Sequence, residues 1–591
     1  MFLIKTAEPR FWKSGVKILF LGGWCKTYAN RSAWKDTDYE MIPYHWDDRK
    51  QLYHDFRYLE GVYEEYLYIL SEKMNIIHGV NHSFRYWRII LGPWLNYFIA
   101  MVFDRFITLK TACKLYPMLE TVISDTAIEN LIPDSMLDCS IKYSRDAYNE
   151  VIYSEIIKEV DLCANIKRQP AKYSFADKKI IKNKPSFFEI VKLFLNKVNR
   201  YRNPSFVFVN PYFSILDQLK LQLRLGQLPA IFFSTPLKLQ DLSCQSDKRA
   251  MLCLRNGKSQ FGRLLDTLIP KQIPKVHLEY YFAIKKLARK RFSNKAKVIN
   301  TATAHIMDEV FKVWAAGMID KGTKLTVTQH GGHYGTGLWS WSEDHQSAIS
   351  DYFITWGWGN EKGSKYYALS SGKLMKAKRL LKPKDDGNIL LVLNSAPRYS
   401  YWMHSMPVAY QLNYYFDNQV ILSSCLNGQA RKLLKIRFYP HDYNWGEQEK
   451  IQKLGRNIQK TKPELTMTKQ LNNSRLFIGT YNATTFLETF AANFPTILFW
   501  DPHYWEIRLE AQAYFDDLRS AGILHDTPES AASMINNIYN DPASWWEQDE
   551  VQEAKDKFCE QFALTSSNYL SEWRKFFIRS KIRNTKVISN V

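Results

Sequence analysis

The sequence predicts an α/β chain built as two parallel-sheet lobes facing a cleft, and three observations carry that prediction. Short runs rich in Val, Ile, Phe and Leu alternate with segments of helical period along most of the chain, as strand–helix units do when helices cover both faces of a parallel sheet. Several of those runs stop at clusters of Gly, Ser, Thr, Asn and His, as at 328–337 and 479–485. A charged stretch at 373–387, KLMKAKRLLKPKDDG, interrupts the alternation, and NILLVL restarts it directly afterwards. A chain of 591 residues is also too long for one core, so two large domains, with or without a helical insertion, is the expected count.

Taken in order, VKILFLGGW at 16–24 reads as a buried strand running into Gly22-Gly23. Nucleotide-binding α/β domains often begin so, but the full GxGxxG fingerprint is missing and a dinucleotide oxidoreductase is disfavoured. From Asp48 to about Asn165 the pattern is helical and dense in Tyr, Trp and Leu. The basic, Pro-punctuated segment 166–204 reads as a solvated linker or a substrate-facing arm. Strands are expected at Phe206–Val209, Ala230–Phe233, Val298–Asn300 and Lys324–Thr328, with helices through Leu223 and over Ala304–Met318. The second half adds strands at Asn388–Leu393, Gln419–Ile421, Leu434–Tyr439, Leu476–Ile478 and Thr496–Phe499. The resulting domains are a first lobe over 1–375 with a helical insertion at about 48–165, a second lobe over 386–545, and a helical tail over 546–591.

A net charge of +21 implies an anionic partner. No zinc-finger spacing, RNP-like motif or arginine-rich tract accompanies it, so a nucleotide-sugar and a membrane surface are the expected partners and nucleic acid is not. The eight cysteines are scattered without a CxxC pair and read as reduced thiols. The N-terminus, MFLIKTAEPRFWKSG, lacks a signal-peptide pattern, which points to the cytoplasm. The apolar run Ile89–Phe103 contains Gly92, Pro93 and Asn96 and reads as a buried or interfacial helix, too short for a span.

Three segments carry chemistry. KLTVTQHGGHYG at 324–335 is a strand leading into a turn with Gly331, Gly332, Gly335 and Gly337. Ligands of parallel sheets sit outside the carboxyl ends of strands. Glycines there admit a phosphate or sugar to the backbone, and His330 is a catalytic candidate that donates to developing negative charge. Gln329, Gly331, Gly332 and Tyr334, with Gly22 and Gly23 of the first loop, are expected to face the sugar or acceptor. A tight turn capped by His330 is the competing reading. His333 and His345 have no metal-like spacing with a carboxylate, so no metal site is expected.

IRFYPHDYNW at 436–445 leaves a strand at Tyr439 and turns at Pro440-His441-Asp442. At a sheet edge Arg437 and His441 would meet a nucleotide phosphate; an ordinary surface turn is the alternative. LFIGTYNATTFLE at 476–488 runs from a strand to Asn482, Thr484 and Thr485, which open a helix. Hydroxyls and free N–H groups at a helix start make a phosphate cradle without a lysine. Glu488, one turn further, is placed to accept from a ribose or base, and Ser395 beyond the NILLVL strand completes the donor-binding set. GxSxG, HExxH and GxxxxGK[ST] are missing, which disfavours hydrolase, zincin and P-loop readings.

With those segments in view, the chain resembles a family of bacterial surface-carbohydrate transferases found with O-antigen and capsule synthesis genes. The likeness rests on FLGGWC (20–25), PYHWDDR (43–49), HGVNHSFRYWRIILGPWL (78–95), DEVFKVWAAGMIDKG (308–322), TQHGGHYGTG (328–337) and GTYNATTFLE (479–488). Gly23 stands where the family pattern leads one to expect a charged residue, which leaves the role of that loop open. The resemblance implies a GT-B architecture: two Rossmann-like domains, the donor nucleotide held mainly by the second, no metal, and no cofactor beyond the donor. The family is also similar to capsule enzymes that transfer CMP-linked nonulosonic acids, including a retaining pseudaminic acid transferase. In sialyltransferase-like enzymes a His-Pro-type turn and paired Ser/Thr hydroxyls hold the CMP phosphate. His441 beside Pro440, in reversed order, and Thr484 with Thr485 match those roles in kind, as a fold-level analogy.

The implied reaction moves a sugar, of which a CMP-activated nonulosonic acid such as pseudaminic acid fits best, onto a capsule or O-antigen glycan, free or lipid-linked. Two rivals stay open: a UDP-, GDP- or dTDP-sugar or CDP-polyol donor on the same fold, and a non-catalytic polysaccharide-assembly partner. Peripheral contact with the inner membrane is expected through the Ile89–Phe103 helix and the basic tail (Arg574, Lys575, Arg579, Lys581, Arg583). A tail that crosses back to the first lobe is the alternative.

Overall fold

The computed structural model describes residues 1–116, 118–159, 166–171, 187–234, 237, 242–359, 361, 363–452, 459–461 and 464–582. Residues 172–186 of the expected arm and Arg583 of the tail lie outside the described residues. Three parallel sheets organise the chain. The first takes β1 (Phe2–Ile4), β2 (Ile18–Phe20), β3 (Tyr39–Met41), β4 (Leu119–Ser124) and β5 (Ile166–Ala171) in the order β3-β2-β1-β4-β5. The second takes β6 (Phe206–Val209), β7 (Val298–Thr301), β8 (Lys324–Thr328), β9 (Tyr352–Thr355) and β10 (Tyr366–Ala368), ordered β10-β9-β8-β7-β6. The third takes β11 (Asn388–Val392), β12 (Leu434–Arg437), β13 (Gln459–Lys460), β14 (Ser474–Gly479), β15 (Thr496–Phe499) and β16 (Leu524–His525), ordered β13-β12-β11-β14-β15-β16. Strands such as FVFV in β6 and TILF in β15 are buried at every position, as helices on both faces of a parallel sheet require.

The helices that position the site are α1 (Arg49–His78), α2 (Phe84–Leu115), α3 (Phe187–Tyr201), α4 (Tyr281–Arg291), α5 (Trp341–Ile349), α6 (Gly372–Leu380), α7 (Thr484–Ala491) and α8 (Tyr569–Ile582). Asp48 caps α1 by accepting from the Lys50 and Gln51 N–H groups, and Gly79, at φ 58°, ends it in the left-handed conformation. Helix α2 is long and apolar enough to cross a membrane by length and composition, yet its most apolar window is wholly buried inside the fold. It is a core helix, and the Ile89–Phe103 run within it has no face left for lipid.

Three parallel sheets replace the two expected: the first (β3-β2-β1-β4-β5) and the third (β13-β12-β11-β14-β15-β16) reverse direction at their first strand as Rossmann-like units do, whereas the second runs in sequence from β6 to β10. The stretch expected as a helical insertion, 48–165, contains α1 and α2 but also β4, which pairs with β1. Both helices therefore lie in the crossover between β3 and β4. Of the first sheet only β2 was legible, inside the strand expected at 16–24; β1 and β3, at three residues each, are too short for a periodic signal of their own. Its unit packs on the third: the Arg398 guanidinium donates to the Trp24 carbonyl and pairs with Asp146, and Arg105 donates to the Ser400 carbonyl.

Other expectations are corrected. Gln419–Ile421 lies inside the helix Leu412–Cys425, whose buried positions Tyr415, Phe416, Gln419, Leu422 and Ser423 follow the helical period. Ala230–Phe233 makes a single bridge, Phe232 to Val209. The helix expected over 304–318 breaks at Asp308, which accepts from the Phe311 N–H and so caps the second piece. The supposed linker 166–204 supplies β5 and α3. Six cysteines (Cys25, Cys139, Cys244, Cys253, Cys425, Cys559) are free thiols, whereas Cys113 is disulfide-bonded, against the expectation of reduced thiols throughout.

Helix α8 crosses back to the second sheet. Trp573 donates its indole N–H to the Ser370 carbonyl at 2.9 Å, and Phe577 stacks edge-on against Phe208 and Phe206. Arg574 donates to the Arg224 carbonyl. The start of the basic tail is thus a structural tie between the chain's end and the second sheet.

Candidate active site

The carboxyl ends of the second and third sheets meet at the turn after β8. Gln329 is fully buried there: its amide oxygen accepts from the Trp356 N–H at 3.0 Å and the Trp358 indole at 2.8 Å, and its amide nitrogen donates to the Gly331 carbonyl. It holds the turn and, fully buried, presents no surface to a sugar. Gly332 touches the opposite lobe, donating its N–H to Thr484 Oγ1 at 3.1 Å. A Cβ at Gly332 would lie 2.4 Å from the Ala483 carbonyl carbon and oxygen, and one at Gly331 would lie 2.7 Å from the His333 ring. Only glycine lets the turn reach both neighbours.

His330 sits at the tip, half-buried. Burial lowers its pKa to about 4, so the ring is neutral near pH 7. Gln346 of α5 donates its amide to Nδ1 at 2.6 Å, and the Tyr334 hydroxyl lies 3.1 Å from the same atom. With Nδ1 accepting, the ring proton is on Nε2. Tyr334 is therefore a buried support behind His330, with no surface for acceptor.

Beside it, Ser340 Oγ lies 3.0 Å from His333 Nε2 and 3.2 Å from His404 Nδ1, with the two rings 5.3 Å apart. Burial keeps both rings neutral, holding His404 at about 4 and His333 well below its ordinary value, with repulsion from His404, His330 and Arg508 adding to the latter. Arg508, which follows β15 of the third sheet, ties the turn by donating to the Gly337 carbonyl and to Glu343.

The third sheet contributes the ends of β11, β12 and β14, which are neighbours in it. Ser395, just past β11, is buried with no hydrogen-bond partner for its hydroxyl among the described residues. Arg437 ends β12 and donates to the Leu465 carbonyl at 3.0 Å; burial lowers its pKa, while nearby Tyr481 opposes that shift. Tyr481 and Thr485 share a hydroxyl–hydroxyl contact of 3.1 Å. Asn482 donates to Thr336 Oγ1 at 3.2 Å, and its buried carbonyl oxygen has no partner among the described residues. Thr484 is the first residue of α7, and Ala483 at the N-cap offers no side-chain acceptor to the free N–H groups of that turn. Glu488 pairs with Lys373 of α6 at 3.3 Å, and the same ammonium lies 5.1 Å from the Tyr212 ring at the end of β6.

Contacts thus bring the turn of His330, Gly331 and Gly332 against Asn482 and Thr484, with Thr485 and Arg437 beside Tyr481 and Glu488 on Lys373; Ser395 follows the neighbouring strand β11, with no hydrogen bond from its hydroxyl to any of them. His441 stands apart: it is exposed and packs edge-on against Tyr443, with ring centroids 4.5 Å apart. Gly22 and Gly23 are buried elsewhere, Gly23 so close to Tyr410 that a Cβ would lie 2.7 Å from it. They form a packing seam between the first and third sheets. Among the described residues no three His, Cys, Asp or Glu side chains converge as a metal shell.

Sequence reasoning missed Lys373, hidden in a stretch that reads as a linker, and His404, a lone histidine between apolar residues. Neither has a local signal, because each joins the site through contacts distant in sequence.

Among solved structures the chain is similar to MurG of Acinetobacter baumannii, at 10% identity over 63% of this chain and 99% of that one, with a TM-score of 0.32. It is similar to S. aureus MnaA in a co-structure with UDP, at 10% identity over 64% and 96%, TM-score 0.34. It is similar also to WaaG, a glycosyltransferase involved in lipopolysaccharide biosynthesis, at 10% identity over 63% and 99%, TM-score 0.27. These likenesses are too distant to carry a substrate from those proteins to this one. No curated protein matches the chain. The family model described as LIC12162 family transferase matches residues 1–577. Matched over nearly its whole length, the chain belongs to the LIC12162 family of transferases.

Proposed function

We propose that this cleft transfers a glycosyl group from a nucleotide-sugar to a glycan acceptor, free or lipid-linked, on the cytoplasmic side of the membrane. The observation that carries the reading is the contact between Gly332 and Thr484, which sets a neutral histidine beside an uncapped helix start. In the reaction the bond between the anomeric carbon and the phosphate oxygen breaks, and its electron pair leaves with the nucleotide. The acceptor hydroxyl oxygen bonds to that carbon, and its proton passes to the departing phosphate, whose oxygen becomes basic as the bond breaks. Charge grows on the departing phosphate, where the first N–H groups of α7, the hydroxyls of Thr484 and Thr485, and the Lys373 ammonium are available to meet it. Arg437 reinforces them, with His441 as a further phosphate contact if its turn moves inward on binding. Glu488, Ser395 and Asn482 hold ribose or base, while His330 Nε2–H faces the sugar or acceptor.

A CMP-linked nonulosonic acid such as pseudaminic acid is the donor this reading favours. Such a donor carries one phosphate and one carboxylate, and two cations, Lys373 and Arg437, line the seam. Transfer with retention and without a metal completes the proposal, with a capsule or O-antigen glycan as acceptor. Mass spectrometry of the product formed from CMP-nonulosonates and a synthetic acceptor tests it, alongside thermal unfolding with CMP, UDP, GDP and dTDP. A nucleotide at 100 times its Kd stabilises by about 2.7 kcal/mol. If no nucleotide raises the unfolding temperature, the reading fails; if UDP alone does, the CMP assignment fails.

A further inference from the structure

Helix α3 is attached to the protein by its polar side. Asn196 donates to and accepts from the Phe233 backbone at 3.0 and 2.9 Å, and Asn199 donates to the Ile231 carbonyl at 2.7 Å. Both asparagines are buried. The opposite side carries Phe187, Ile190, Val191, Phe194, Val198 and Tyr201, a spacing that stacks them in one stripe along a helix. That stripe faces solvent: Phe187 is 74% exposed, Phe194 63% and Tyr201 68%. A continuous apolar face of this kind on a soluble surface marks an interaction site.

Cations flank the stripe. Lys197 is exposed on α3 itself. Helix α4 packs beside α3 and exposes Lys286, Arg289 and Lys290, for which no ion pair is found among the described residues. An apolar stripe flanked by lysine and arginine is what a helix lying in the plane of an anionic bilayer presents. Two copies of the chain laid stripe to stripe would bring these cations together, which disfavours self-association.

We infer that α3, flanked by the cations of α4, docks this protein on an anionic lipid surface, with Phe187 and Phe194 entering the headgroup boundary. This assigns membrane contact to neither α2, which is core, nor α8, which ties the second sheet. The inference does not rest on the identity of the donor.

The test is flotation of the full chain with vesicles of phosphatidylcholine alone, or with phosphatidylglycerol added, at low and high salt. The native chain should float with the anionic vesicles at low salt and less with neutral ones. F187E/F194E should lower partition at least about tenfold, and K286E/R289E/K290E should lower it roughly fivefold per charge and flatten the salt dependence. Both variants change exposed side chains, so unfolding temperature and its nucleotide-induced rise should match the native chain, which separates this docking from the cleft. Unchanged flotation of F187E/F194E, or no binding of the native chain to anionic vesicles, overturns the inference. So does a native dimer in sedimentation that F187E/F194E converts to monomer, since the stripe's occupant would then be a second copy.

Discussion

Replacing Gly332 by Ala is the sharpest probe of the cleft. Its Cβ would stand 2.4 Å from the Ala483 carbonyl carbon and oxygen and 2.7 Å from the Thr484 nitrogen. All three are backbone atoms, so no side chain can swing aside. Restoring ordinary contact requires the turn and the start of α7 to part by about 1 Å, a displacement that can cost on the order of 10²-fold in rate when it separates catalytic groups. The hydrogen bond from Gly332 N–H to Thr484 Oγ1 goes with it. Strain of this kind costs roughly 1–3 kcal/mol in stability, which a folded two-lobed protein can absorb. Expected, then, is a folded variant with kcat/KM down about 10²-fold and an unfolding midpoint lowered by only a few degrees. Thr484→Val, which removes the acceptor and keeps the shape, should lose less. Transfer by Gly332→Ala within twofold of the native rate would refute the claim that the two lobes meet productively at this turn.

Other outcomes follow from the same geometry. Lys373→Met removes the ammonium beside Glu488 and should weaken donor binding by roughly tenfold or more, read as KM or by titration calorimetry; an unchanged KM would remove Lys373 from the donor site. Burial holds His45 and His345 at about 3 and His78, His330 and His404 at about 4, below the ordinary 6.5. The unfolded chain therefore binds more protons between those values, so stability should be full above pH 6.5 and fall as pH drops from 6.5 toward 4; a midpoint that rises on acidification over that window would contradict the assignment. Trp573→Ala empties the buried anchor of α8 and should destabilise by about 3–5 kcal/mol in denaturant titration, whereas a loss under 1 kcal/mol would mean that the helix is not a structural tie.

Reading the sequence succeeds where local pattern and burial agree. FVFV at 206–209 and KLTVT at 324–328 are strands at the residues expected, because a run buried on both faces leaves no alternative period. The same reading fails at Gln419–Ile421, where Val420 and Ile421 suggest a strand but sit in a helix whose period shows only over fourteen residues. It fails again at β1 of the first sheet, a three-residue strand held by neighbours far along the chain, Phe2 opposite Ile18 and Glu120.

The candidate site divides along the same line. Gln329 and Tyr334 belong to the conspicuous words of the sequence, yet both are spent inside the fold, one pinning the turn to Trp356 and Trp358, the other supporting His330. His404 and Lys373 carry no local signal and enter the seam only because distant loops converge.

By itself, then, the sequence determined an α/β architecture, a glycine turn after β8 and a hydroxyl-rich start to α7. These follow from the local steric and hydrogen-bonding preferences of a few consecutive residues. Tertiary structure alone decided that Gly332 and Thr484 touch, that the histidines stay neutral, and that α3 turns its apolar side outward. Each of those depends on which surfaces the fold buries against one another, and burial is a property of the packed chain as a whole.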